Sequence, residues 1–120
     1  MSNQNSADFS SFKKMLSPAS LACFRMLFEN VRELLARNEV PETYETSLED
    51  VLSLDGIDDV EAVAQSIRDI IKCNIELPVK KYLYFFPFFA SVSIEGGKIR
   101  YRLHKEVEEA IALLPAVYNI

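Results

Sequence analysis

Between Ala90 and Leu103 the chain reads ASVSIEGGKIRYRL, and this stretch restricts the fold more than any other. Two runs that alternate apolar and polar residues flank Gly96-Gly97. Glycine accepts the positive φ that a two-residue hairpin turn requires. With the turn placed there, counting outward sets Glu95 against Lys98, Ile94 against Ile99, Ser93 against Arg100, Val92 against Tyr101, Ser91 against Arg102 and Ala90 against Leu103. Apolar residues meet apolar ones at each step, a match that a slip of one residue destroys. One face of the hairpin is therefore expected to seal a core and the other to carry Ser91, Ser93, Lys98, Arg100 and Arg102.

The remainder of the chain supplies what that hairpin covers. A short amphipathic stretch from Phe9 to Leu16 precedes Ser17-Pro18, which reads as a helix N-cap followed by proline at the first helical position. Leu21, Phe24, Phe28, Val31 and Leu35 then recur at helical spacing, with Arg25/Glu29 and Glu33/Arg37 four apart on the polar side. The polar run around Pro41 reads as a connector. Thr46 with Glu49 reads as a capping box opening a short helix to Leu54, which Asp55-Gly56 stops. Val60, Val63, Ala64, Ile67, Ile70 and Ile71 predict a third helix, with Asp58 and Asp59 at the positive end of its dipole. Short helix, turn, longer helix is a helix-turn-helix outline. "NIELPV" and the aromatic run that follows read as strands, and Val107, Ala110, Ile111 and Leu114 mark a closing helix that Pro115 ends. The layout is that of an α+β winged helix: helix-turn-helix, a β-hairpin wing and a C-terminal helix. Residues 1–8 are expected to form a disordered N-terminus and residues 9–120 a single domain.

Charge divides the chain unevenly. Its formal net charge is -5, yet residues 72–105 hold seven basic side chains against two acidic ones, and residues 29–61 hold eleven acidic against two basic. A helix that reads DNA in the major groove exposes Arg, Lys, Asn or Gln. The third helix instead exposes Asp58, Asp59, Glu61 and Asp69 beside Gln65, Arg68 and Lys72. The basic hairpin face suits phosphates better, and such contacts position a protein without reading sequence. Lys80, Lys81, Ser91, Ser93, Lys98, Arg100, Arg102 and Lys105 are the candidate phosphate-binding residues, and double-stranded DNA the expected partner. A solvated strand face with cross-strand ion pairs explains part of the same pattern.

The stretch TSLEDVLSL from Thr46, the helix reaching Cys73, and FFASVSIEGGKIRYRLHKEVEEAI together resemble the first winged-helix domain of plasmid replication initiator (Rep) proteins. The resemblance runs from about Phe12 to Leu114. It implies an initiator of two domains, in which the second reads repeated origin sites while the first contacts phosphates and mediates dimerisation. The second domain does not occur in these residues, so an excised domain or a small stand-alone relative is expected. Six aromatics at Tyr82, Tyr84, Phe85, Phe86, Phe88 and Phe89 belong either to the core or to an exposed pairing surface; Tyr82, Tyr84, Phe86 and Phe88 are the candidate dimer contacts, in a homodimer.

Other classes find little support. His104 is the only histidine, and no nucleophile and base arrangement, glycine-rich phosphate loop or metal-ligand spacing is present, so neither an enzyme, a small-molecule substrate, a cofactor nor a metal is expected. Cys23 and Cys73 lie on apolar helix stripes and read as buried free thiols of a cytoplasmic protein, with a disulfide between them as the alternative. The longest apolar run, Tyr82 to Ile94, is shorter than the ~20 residues of a membrane span and contains Pro87. The alternative to DNA contact is a protein-interaction winged helix that binds a partner through its acidic helix and aromatic surface and never meets DNA.

Overall fold

The computed structural model describes residues 6–115 and 118–120. It is a mixed α+β chain in which helices pack on one face of a small antiparallel sheet, with a second ribbon beside it. α1 (Ser10–Met15) lays Phe12 into the core, and α2 (Pro18–Ala36) follows from Ser17, whose hydroxyl accepts the Ser20 N–H at 3.2 Å. Cys23, Phe24, Leu27, Phe28 and Val31 form the buried stripe of α2, while the expected Leu21 and Leu35 pack at its margin. The Glu33–Arg37 pair forms at 4.0 Å, but Arg25 does not join Glu29: it donates to the Ile120 carbonyl.

The connector after Pro41 contains a strand. β1 (Tyr44–Ser47) buries Tyr44 and Thr46 and turns Glu45 and Ser47 outward. The capping box expected at Thr46 does not form, because Thr46 lies in this strand with its hydroxyl beside Asn30 and Tyr101; Ser47 holds the N-cap position of α3 (Leu48–Leu52) and makes no side-chain cap bond. Gly56 turns the chain toward α4 at φ 84, and a Cβ there would meet Ala19 Cβ at 3.0 Å, so both conformation and space favour glycine. α4 (Val60–Ile71) begins at Asp59, whose carboxylate accepts the Ala62 N–H at 2.8 Å. Its buried face carries Val63, Ser66, Ile67 and Ile70, and Ser66 meets Ser20 of α2 at 3.1 Å, whereas Val60 and Ile71 stay half exposed.

Two hairpins follow. β2 (Ile75–Val79) pairs with β3 (Tyr82–Phe86) around Lys80-Lys81, and β4 (Ser91–Glu95) pairs with β5 (Lys98–Arg102) around Gly96-Gly97. The second hairpin takes the register counted from the sequence at all five strand pairs, Ser91 with Arg102 through Glu95 with Lys98. β1 adds to its far side, with Glu45 opposite Arg100 and Ser47 opposite Lys98, giving the sheet order β1-β5-β4. α5 (Lys105–Ala112) closes over the core with Val107, Ala110 and Ile111, and Tyr44 donates to its Glu108 at 2.6 Å.

The core is aromatic. Phe12 stacks on Phe24 at 4.3 Å, Phe88 meets Phe24 edge-on at 4.9 Å, and Tyr101 hydrogen-bonds the Leu27 carbonyl at 2.7 Å from within it. Ala7 is buried and Asp8 exchanges backbone hydrogen bonds with Glu76, so these two residues belong to the fold rather than to a frayed end; residues 1–5 lie outside the described residues. Arg32 of α2 holds the Tyr118 carbonyl, which fastens the closing residues to the same helix that Arg25 grips. Among the described residues no helix is long and apolar enough to cross a membrane.

Candidate functional site

The outward face of β4 and β5 carries Ser91, Ser93, Lys98, Arg100 and Arg102, as the period of two in a strand dictates. β1 brings a carboxylate onto the same face. Glu45 lies 3.1 Å from Lys98 Nζ and 3.1 Å from Arg100 Nε, and Glu95 lies 4.0 Å from Arg100. Ser93 donates its hydroxyl to Glu95 at 2.7 Å. The hydrogen bond from Lys98, and then its charge, hold the Glu45 carboxyl below its usual range. Two of the three strand cations are thus already paired, while among the described residues Arg102 has no ion-pair partner. Arg100 and Arg102 line a shallow cleft of about 220 Å³ together with Thr43, Ser91 and Ser93.

The other candidate cations stand elsewhere. Lys105 opens α5 and is exposed, but Lys80 and Lys81 form the tip of the β2–β3 ribbon, which does not pair with the three-stranded sheet. The eight residues are thus divided between two ribbons and the start of α5. On α4 several polar groups bind one another: Arg68 pairs with Glu61 at 2.9 Å and reaches Gln65 at 3.2 Å, and Gln65 donates to Asp69 at 3.0 Å. A larger cleft of about 650 Å³ between α2 and β1–α3 is lined by Glu29, Glu33, Glu45 and Asp50, a setting that repels phosphate.

The aromatic run splits at Pro87. Phe88 and Phe89 are core residues, so Phe88 is not available to a dimer; after the proline both rings turn inward against Tyr101. Phe86 is half-buried and lies 5.9 Å from the His104 ring. The candidate dimer contacts Tyr82 and Tyr84 are exposed, and Leu83 and Phe85, which were not among those candidates, are exposed with them at 50% and 58%. All of β3 up to Phe85 is uncovered on both faces.

Among the described residues no three His, Cys, Asp or Glu side chains converge as metal ligands. Both cysteines are free and buried, and burial pushes the Cys23 thiol up to about 11, which leaves it unreactive at neutral pH. Compared with models of known protein families and with curated proteins, the chain matches none.

Proposed function

We propose that the chain is a winged-helix domain of the replication-initiator type that pairs with a second copy of itself through β3 and touches duplex DNA through the β4–β5 wing. The element order supports the winged-helix reading. A strand between α2 and α3 joins the β4–β5 hairpin, which comes after α4 and the β2–β3 ribbon, so helix pair and wing share one core.

The observation that carries the pairing is the uncovered edge of β3. Glu76 spends its N–H and C=O on Asp8, away from β3, so it faces Phe85 across a non-bonded pair, and Pro78 faces Leu83 in the same way. Leu83 and Phe85 accordingly direct their backbone groups to the open side, where no strand among the described residues meets them. A twofold axis through Tyr84 sets Leu83 of one copy against Phe85 of the other, matching donors to acceptors and apolar side chains to apolar ones. Sedimentation at tens of micromolar tests this. A dimer that Phe85→Lys converts to a folded monomer supports the reading, and a wild-type monomer sinks it.

The wing carries the duplex half of the proposal. Arg102 on the wing and Lys105 at the start of α5 supply the available cations, and contacts of that number give salt-sensitive binding without sequence preference. The paired state of Lys98 and Arg100 and the self-bonded face of α4 favour a second reading, a protein-interaction winged helix that never meets DNA. Duplex titration at low salt separates them: binding that Arg102→Glu abolishes supports the first, and none at any salt leaves the second.

A further inference from the structure

Antiparallel pairing of β1 with β5 sets Glu45 directly opposite Arg100, on the face where the wing would meet an anion. Its two carboxylate oxygens divide between the cations, Oε1 to Lys98 and Oε2 to Arg100. Burial does not explain this residue. Glu45 has a side chain 39% exposed on an edge strand, where other polar residues fit the same backbone. Its bond to Arg100 is also incomplete: Nε is shut off from solvent and, though 3.1 Å from Oε2, has no aligned hydrogen bond. A carboxylate spanning an ammonium and a guanidinium occupies the place that two phosphate oxygens would take.

We infer that Glu45 is an internal competitor for phosphate, which sets how strongly the wing grips a nucleic-acid backbone. With Glu45 in place, an incoming phosphate meets Arg102 first and gains Lys98 and Arg100 only by displacing the carboxylate. Removing the charge frees Lys98 and leaves Arg100 only its longer 4.0 Å contact with Glu95, without adding a contact. The inference rests on the duplex-contact reading above, and the test keeps the two apart.

The test is fluorescence anisotropy on a labelled duplex of arbitrary sequence at roughly 50 mM and 200 mM salt. Wild type is compared with Glu45→Gln, Glu45→Thr, Arg102→Glu, and Glu33→Gln, which makes the same charge change on α2; thermal melts verify that each variant is folded. Glu45→Gln and Glu45→Thr are expected to tighten binding about tenfold at the lower salt and to steepen the salt slope by about one to two, the signature of up to two further phosphate contacts. Glu33→Gln is expected to change affinity by no more than about twofold, since it alters only the overall field. Wild-type binding that Arg102→Glu weakens, combined with Glu45 variants that match Glu33→Gln, overturns the competitor and leaves the duplex reading intact. If neither wild type nor any Glu45 variant binds at the lower salt, the duplex reading falls and the competitor with it.

Discussion

The two hairpins have strands of equal length and two-residue turns, yet they do opposite things. In β4–β5 the side chains alternate, so Ile99 and Tyr101 disappear into the core while the polar residues between them face out. In β2–β3 the run from Tyr82 to Phe85 is exposed throughout. One ribbon is held by what it covers along both strands; the other is anchored by Ile75, Leu77 and Phe86 and leaves most of β3 uncovered. Alternation in a strand therefore indicates burial on one side, whereas an unbroken apolar strand is explained only by burial on both sides or by a surface that something else must meet.

The difference breaks or sharpens most clearly on truncation. Ile99→Ala, made in the fully buried strand, is expected to lower unfolding free energy by about 2–4 kcal/mol in urea melts, and Leu83→Ala, made in the exposed one, by less than about 0.5 kcal/mol in the monomer. Equal losses would mean that both ribbons are structural. Next in size is Tyr44→Phe, which removes the 2.6 Å bond from β1 to Glu108 and is expected to cost about 1–2 kcal/mol by the same melt.

The turns give a smaller and opposite-signed pair. Gly97 sits at φ 75 and Lys80 at φ 58, so each occupies left-handed backbone, but only one of them is a glycine. Gly97→Ala is expected to destabilise by about 1 kcal/mol and Lys80→Gly to stabilise by about 0.5–1 kcal/mol. A loss on Lys80→Gly would show that the lysine tip contributes something beyond its backbone. Smallest is the acid response of the ion pair between β1 and β5. The Glu45 carboxyl is depressed in the fold, so its contribution is present above the ordinary value near 4.5 and is lost as pH falls through the folded value. Acid melts of wild type and Glu45→Gln should accordingly converge below that range; curves that stay parallel would dismiss the pair as a stabilising contact.

How far the sequence could be read follows the same division. The β4–β5 register was legible because alternation and Gly96-Gly97 are local signals, and α2 and α4 because apolar spacing repeats over several turns. β1 was not, since its only mark is the pair Tyr44 and Thr46 inside a polar connector, and its identity depends on a partner more than fifty residues away. Missing β1 also hid Glu45 as the mate of Lys98 and Arg100, because that contact exists only once β1 lies beside β5. In the aromatic run each ring has the same hydrophobic pull, so nothing local distinguishes core Phe88 from exposed Phe85; Pro87 and the path of the chain after it decide.

The short bridge between Asp8 and Glu76 has a consequence for assembly size. With Glu76 occupied and Pro78 lacking an N–H on the same side, the outer margin of β2 cannot accept a further strand. That ribbon consequently has a single open border, so two molecules joined along it would use it up, and growth into a continuous stack through it is closed off.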